Sequence, residues 1–184
     1  SSQDEFVELA NVSSDPVDLT GWKLGDDEAV NFTFPDGYMM APRSFLVGFG
    51  GGDVTGVDGY DADPLVTRVF SADSTVGNGL ANGGEIILLH SADGSYDTWL
   101  AYGSKAATGG PPNADNYQIQ IDVGAAANAD NSITRFPDGN VNILDSFVQH
   151  LTVANAAFSP NTTIDGRSAV PPPQPQVTVV INEV

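Results

Sequence analysis

The side chains of this sequence that could bind a ligand are mainly aspartates. Four of them lie in one glycine-rich segment: Asp53, Asp58, Asp61 and Asp63. Calcium takes about six to eight oxygen ligands, which several carboxylates and loop carbonyls can supply together. The spacing is not that of an EF-hand loop, so the segment is consistent with either a calcium site or a solvated acidic loop. The sequence indicates no required cofactor, and Ca²⁺ is the one candidate cation.

Catalytic chemistry has little support in the sequence. The chain has two histidines, His90 and His150, and no cysteine. It also lacks the Gly-x-Ser-x-Gly motif that holds a nucleophilic serine in many hydrolases. A structural role explains each histidine better than a role as general base. We therefore expect a protein that is not an enzyme.

Three Asn-x-Ser/Thr motifs are candidate sites of covalent modification. They begin at Asn11, Asn31 and Asn161. N-glycosylation would require an exported chain and exposed side-chain amides. Chance also accounts for some of these motifs, since Asn, Ser and Thr are frequent in this chain.

The charge balance restricts the partners of the chain. Its 184 residues include 24 acidic and 6 basic side chains, which gives a formal net charge of −18. Such a charge repels phosphate backbones and anionic lipid headgroups, so we expect neither nucleic-acid binding nor membrane insertion. An Asp-rich, Lys-poor surface suits a saline or calcium-containing exterior, although a loop-rich β protein also uses Asp in its turns. No signal-peptide pattern or membrane-spanning run occurs, and we expect any signal or anchor to lie outside this sequence.

The elements that must position these residues are short β-strands. Alternating or apolar runs recur between clusters of Gly, Asp, Asn and Pro, a pattern typical of an all-β sandwich. The ten runs are residues 5–9, 17–24, 29–34, 44–49, 65–70, 85–90, 98–102, 117–123, 133–136 and 177–184.

Loops and turns fill most of the remaining sequence. The motifs Pro-Asp-Gly at 35–37, Ala-Asp-Gly at 92–94 and Pro-Asp-Gly at 137–139 predict hairpins. Residues 50–63 and 105–116 read as surface loops, because they are rich in polar and small residues. Residues 145–151 allow one helical turn at most, so the helix content should be low.

The C-terminal end departs from this rhythm. Residues 170–176 read VPPPQPQ, a stiff polyproline-type spacer, and residues 177–184 read VTVVINEV, the strongest β pattern in the chain. We therefore divide the chain into a sandwich domain at 1–169, a Pro-rich linker at 170–176 and a terminal strand at 177–184.

Several motifs of this sequence resemble the lamin tail domain of bacterial and archaeal extracellular proteins, which is an immunoglobulin-like β-sandwich. The resemblance rests on blocks that cover most of the chain. They are DEFVELAN (4–11), VDLTGWKLGD (17–26), FPDG (34–37), APRSFLV (41–47), GLANGGEIILL (79–89), SITRFPDG (132–139) and SPN (159–161).

The order of the blocks differs from the family pattern. The first strand of the family resembles VINEV, which ends this chain at 180–184 and here follows every other block. The resemblance implies three alternatives: the strand is donated to a neighbouring molecule, it belongs to the next repeat of a tandem array, or it returns to its own domain as a permuted strand. It also brings Glu8 and Glu183 close together, where a hydrogen-bonding role is better supported than a metal site.

Strand donation defines a donor segment and an acceptor groove. The donor residues are Val177, Val179, Val180, Ile181, Asn182, Glu183 and Val184, and the acceptor residues are Glu5, Phe6, Val7, Glu8 and Leu9. Burial of three aliphatic side chains, at Val177, Val179 and Ile181, would contribute about 1.5 to 3 kcal/mol each, and an uncovered strand would be prone to aggregate.

The predicted function is that of a structural subunit outside the cell. Strand complementation would join copies of the chain, or adjacent repeats, into an extracellular fibre or a tandem surface stalk. The alternative is an accessory glycan- or cell-wall-binding module of a secreted multidomain enzyme, which would present exposed aromatic side chains.

Overall fold

A computed structural model gives the arrangement of these elements. The structure describes residues 5–30, 32–49, 67–70, 76, 79–94, 97–108, 122–123, 131–138, 147–159, 162–166 and 179–184. In these segments the strands are β1 (Phe6–Asn11), β2 (Val17–Asp18), β3 (Lys23–Asp26), β4 (Phe32–Thr33), β5 (Met39–Met40), β6 (Phe45–Phe49), β7 (Thr67–Phe70), β8 (Ile86–His90), β9 (Asp97–Tyr102), β10 (Asp122–Val123), β11 (Ile133–Arg135), β12 (Phe147–Gln149) and β13 (Val179–Glu183).

The strands form two main sheets and a small ladder. One sheet has the order β12-β11-β13-β1-β6-β7, and the other has the order β10-β9-β8-β3-β4. The pair β2-β5 forms a separate two-stranded sheet. Most neighbouring strands run antiparallel, whereas β6-β7 and β9-β10 run parallel. The all-β sandwich predicted from the short alternating runs is therefore confirmed.

The main core lies between the two sheets. Val7 and Leu9 of β1 pack in one apolar cluster with Ile87 and Leu89 of β8. The alternate residues of β8, Ile86 and Leu88, belong to a second cluster with Trp99. Because successive side chains of a strand point to opposite faces, β8 is buried on both of its faces.

Several strand boundaries differ from the sequence prediction. The run at 17–24 is two strands, because the chain turns at Gly21, whose φ of 71° favours glycine. The strands β5 and β12 were not predicted, since neither has more than three residues. The turn at 92–94 closes the antiparallel β8-β9 hairpin as predicted, whereas the turn at 35–37 links β4 and β5, which belong to different sheets.

Helical structure in the described residues is confined to short 3-10 segments at Gly103–Thr108 and His150–Thr152. The first of them replaces the beginning of the loop predicted at 105–116. In the part of the chain that the structure describes, no helix is long and apolar enough to cross a bilayer.

Candidate strand-docking site

The C-terminal strand lies inside the six-stranded sheet of its own chain, between β1 and β11. It runs antiparallel to β1, with Ala10 opposite Val180 and Asn11 opposite Val179. On its other side, Thr134 of β11 lies opposite Glu183. The sequence left several arrangements of this strand open. In the structure, the strand returns to its own domain.

Two aliphatic side chains anchor β13 in the core. Val179 is 1% exposed and Ile181 is 2% exposed, and both belong to the main core cluster. Val184 packs against the edge of that cluster. Both side chains were predicted to face the interior, together with Val177, which lies outside the described residues.

A β-bulge separates these apolar contacts from a buried polar group. Glu8 pairs with Glu183 and Leu9 pairs with Ile181, so Asn182 is the extra residue on β13. The Asn182 amide Nδ2 donates to Glu8 Oε1 over 2.8 Å. The structure thus brings Glu8 and Glu183 together, as the family resemblance implied, with hydrogen bonds around both.

Arg135 holds the opposite edge of β13. Its side chain is 2% exposed, and its Nε donates to the carbonyl oxygen of Ile181 over 2.8 Å. The guanidinium carbon lies 4.7 Å from the centroid of the Phe147 ring. One arginine of β11 therefore links β13 to β12, and the sequence prediction did not identify it.

Glu183 is enclosed by hydroxyl and amide groups. Its Oε1 accepts a hydrogen bond from the Ser159 amide over 3.1 Å and contacts the Ser132 hydroxyl at short range. Its Oε2 lies 3.2 Å from Ser159 Oγ, which in turn lies 2.8 Å from His150 Nε2. The other ring nitrogen of His150, Nδ1, lies 2.7 Å from the carbonyl oxygen of Ala156.

Burial changes the proton affinity of both titratable groups in this network. It raises the pKa of Glu183 to about 7, although the hydrogen bonds from Ser132 and Ser159 act in the opposite direction, and the charge of Asp138 raises it further. Burial lowers the pKa of His150, against smaller effects of its bond to Ala156 and of Asp138. The two shifts favour a proton on the carboxyl and a neutral imidazole.

The predicted acceptor groove is shifted along β1. Glu8 and Leu9 pair with β13, and Ala10 and Asn11 continue the ladder. Glu5, Phe6 and Val7 precede these pairs. Of the three, Glu5 instead accepts a hydrogen bond from the Leu80 amide over 2.7 Å, and burial raises its pKa.

Asn11 does not meet the exposure condition for glycosylation. Its side chain is fully buried, and Nδ2 donates to the carbonyl oxygens of Asp15 and Ala41 over 2.9 and 2.8 Å. In the folded domain this amide is therefore a structural group. The other two candidates, Asn31 and Asn161, lie outside the described residues, as do the linker at 170–176 and the calcium candidates Asp53, Asp58, Asp61 and Asp63.

A second titratable cluster lies near the first 3-10 segment. Lys105 Nζ lies 2.9 Å from Asp27 Oδ2 and 3.9 Å from Glu85 Oε1. Burial, together with the hydrogen bond and charge of Asp27, raises the pKa of Glu85 to about 7. Burial also acts to raise the pKa of Asp27, but the hydrogen bonds from Lys105 and Glu85 outweigh it and leave that pKa lowered.

The sequence prediction missed Ser132, Ser159 and His150 as partners of Glu183. The two serines belong to two motifs of the family resemblance, SITRFPDG and SPN. Their place in these motifs was the signal in the sequence that could have identified them as partners of Glu183. Nothing in the sequence pattern connects His150 with them, because the segment from β12 to Ser159 folds back irregularly.

The two packed sheets and the enclosed strand define an immunoglobulin-like β-sandwich. Residues 1–104 match the Lamin Tail Domain family, and the chain belongs to that family, since the match covers more than half of its length. The matched segment contains β1 to β9, whereas β10, β11, β12 and β13 lie beyond it. Comparisons with curated proteins and with solved structures gave no match.

Proposed function

We propose that this chain is a structural, non-enzymatic subunit of an extracellular fibre or tandem surface stalk, in which the C-terminal strand of one unit docks into the next unit. The observation that carries the proposal is the position of β13. It is the last strand of the chain, yet it lies inside the sheet, between β1 and β11. A strand in that position can be supplied by its own chain or by another copy.

The contacts of β13 are the same whichever chain supplies it. The buried side chains of Val179 and Ile181, the amide of Asn182 and the carboxyl of Glu183 meet groups of the same sandwich surface in both cases. The balance between self-insertion and exchange therefore depends on the linker and on the subunit concentration. The seven linker residues 170–176 favour exchange, because a polyproline-type segment extends about 3.1 Å per residue. The linker could therefore carry the strand roughly 20 Å towards another copy of the chain.

Head-to-tail docking would produce a filament. The offered strand and the accepting slot are different surfaces of one chain, so the contact is heterologous and propagates unless it closes on itself. Each junction would combine a ladder of main-chain hydrogen bonds with apolar burial. Such a junction dissociates slowly, because the whole ladder must break together.

The described residues give less support to a glycan-binding module. Stacking on sugars uses exposed aromatic rings. Phe136 and Phe158 are 46% and 52% exposed, but of the two tryptophans Trp99 is 3% exposed and Trp22 packs against the core. An acidic surface and a chain without disulfides agree with an extracellular assembly held by inserted strands, with calcium as a further candidate contribution.

The proposal can be tested with two single-cysteine variants, because the natural chain contains no cysteine. Ala10→Cys and Val180→Cys place thiols at positions that face each other in the β1-β13 ladder. The Cα separation in an antiparallel pair, about 4.5 to 5.5 Å, is compatible with a disulfide. Strand donation predicts an intermolecular disulfide when the two variants are mixed and oxidised, and filaments of the natural chain in electron micrographs.

Controls separate exchange from random oxidation. The double variant Ala10→Cys/Val180→Cys should give an intramolecular disulfide wherever the strand remains in its own domain. Val180→Pro keeps the linker but interrupts the ladder, and it should abolish filaments. A natural chain that stays monomeric at all concentrations, with no disulfide in the mixture, would overturn the proposal and leave β13 as a permuted strand of its own domain.

A further inference from the structure

We infer that Glu183, Ser159 and His150 form a proton-dependent latch on the C-terminal strand, so that β13 docks most firmly when this network holds one shared proton. The inference stands on the docking of β13 in this structure. Its consequence for assembly rests on the proposed function.

The first step is the tautomer of His150. Its Nδ1 lies 2.7 Å from the Ala156 carbonyl oxygen, which can only accept, so Nδ1 carries a hydrogen. In the neutral imidazole, Nε2 is then an acceptor. Its neighbour at 2.8 Å is Ser159 Oγ, and the serine hydroxyl is the group that must donate.

The second step is that Ser159 has a single hydroxyl hydrogen for two acceptors. If that hydrogen goes to His150 Nε2, nothing remains to bond Glu183 Oε2, which lies 3.2 Å from the same oxygen. Both contacts form only with one additional proton. Placed on Glu183 Oε2, it gives an uninterrupted chain in which the carboxyl donates to Ser159 and Ser159 donates to His150.

The third step assigns the roles of the two carboxyl oxygens. The Ser159 amide donates to Oε1, and the Ser132 hydroxyl contacts the same oxygen. Oε1 is therefore the acceptor side of the carboxyl, and Oε2 faces the relay. With Glu183 ionised, either Oε2 or His150 Nε2 loses its hydrogen bond in a buried place, which is unfavourable.

Charged groups on the neighbouring elements do not replace this proton. From the turn after β11, the charge of Asp138 raises the pKa of Glu183. From β1, Glu8 lies opposite Glu183 and accepts from Asn182. The Arg135 Nε of β11 is directed to the Ile181 carbonyl. From the 3-10 segment after β12, the titratable neighbour is His150 itself.

The direction of the pH effect follows from counting protons on the pair. Outside the docked state, the two groups have ordinary pKa values of 4.5 for Glu183 and 6.5 for His150. As the pH rises from 6.5 through the docked pKa of Glu183, about 7, the undocked pair has lost its proton and docking weakens.

The test is amide hydrogen exchange of β13 in the full chain, measured relative to β8 in the same sample. The ratio removes the intrinsic effect of pH and any global change in stability. We expect the relative protection of β13 to fall about two- to threefold between about pH 6 and pH 8. In Glu183→Gln the side-chain amide donates to Ser159 at every pH, so that fall should disappear. Glu28→Gln, which changes an exposed carboxyl outside the reference strand β8, is the control and should retain it.

A second measurement leaves Glu183, Ser159 and His150 unsubstituted. Nitrogen shifts of the imidazole, assigned with His90→Gln, should show His150 as the neutral Nδ1-H tautomer at about pH 6, and should move as Glu183 ionises. An imidazole that titrates at its ordinary pKa, or an equal loss of β13 protection in Glu183→Gln, overturns the latch.

The latch and the proposed function can fail separately. Exchange between the Ala10→Cys and Val180→Cys chains at equal rates below and above neutrality would remove the latch and retain strand donation. A pH-dependent β13 that is lost in Glu183→Gln, together with no exchange between chains, would retain the latch and remove strand donation.

Discussion

Asn182 donates a hydrogen bond to Glu8 over 2.8 Å, and both side chains are fully buried. The bond joins the two ends of the chain, since Glu8 belongs to β1 and Asn182 to β13. Asn182 is also the bulged residue, so this bond can form in only one register of the two strands. A slip by one residue would move Ile181 out of the core and separate the polar pair, which makes the bond a determinant of register.

Asn182→Ala should destabilise the domain by about 1 to 3 kcal/mol, because the substitution removes the buried amide that donates to Glu8 Oε1 and also bonds Asp138. Urea unfolding followed by fluorescence measures the change. Asn155→Ala removes the same group from an exposed position and should change stability by less than about 0.5 kcal/mol. Equal effects of the two substitutions would show that the Glu8 bond has no role in stability.

Ile181→Ala tests the apolar anchor of β13. The side chain is 2% exposed and belongs to the core shared by both sheets. Its truncation should cost about 2 to 5 kcal/mol, which includes the cavity that it leaves. Leu151→Ala is the control, since that side chain is 52% exposed. A cost for Ile181→Ala no larger than that of the control would mean that β13 is not docked in solution.

The positions of many strands along this chain follow from local sequence patterns. The continuous apolar run in residues 86–89 matches β8, and the Ala-Asp-Gly motif at 92–94 matches its hairpin with β9. The short strands β5 and β12 have too few residues for a periodic signal, and only their pairing with β2 and β11 defines them. The place of β13 beside β1 came from the family resemblance, because strand periodicity does not specify a partner.

The hydrogen-bonded network around Glu183 could not be read from the sequence for a related reason. Ser132, Ser159 and Glu183 come from separate parts of the chain, and His150 follows a strand of three residues. Sequence spacing is informative within one strand or helix, but contacts between elements depend on how the elements pack. The opposition of Glu8 and Glu183 was accessible only because the strands that carry them resemble neighbouring strands of one family.

Glu85→Gln should flatten part of the pH dependence of stability. Glu85 has a pKa of about 7 in the folded state against an ordinary value of 4.5, so the folded chain binds a proton that the unfolded chain lacks between these values. Stability contributed by this group therefore falls as the pH rises across that window. Thermal unfolding midpoints between about pH 4.5 and pH 7.5 should decline less in Glu85→Gln than in the natural protein. The neighbouring exposed carboxyl in Glu28→Gln serves as control, and an identical effect there would attribute the change to net charge alone.

Arg135→Lys should loosen β13 although it preserves the positive charge. A lysine has neither the Nε that donates to the Ile181 carbonyl nor the planar group that lies 4.7 Å from the Phe147 ring centroid. We expect a loss of about 1 to 3 kcal/mol in unfolding free energy, together with faster amide exchange in β13. Phe147→Leu keeps the hydrogen bond and removes the ring, so the double variant measures the coupling between guanidinium and ring, expected at about 0.5 to 2 kcal/mol. If Arg135→Lys matches the natural protein in both measurements, the charge alone holds this edge of the strand and the Nε bond contributes nothing.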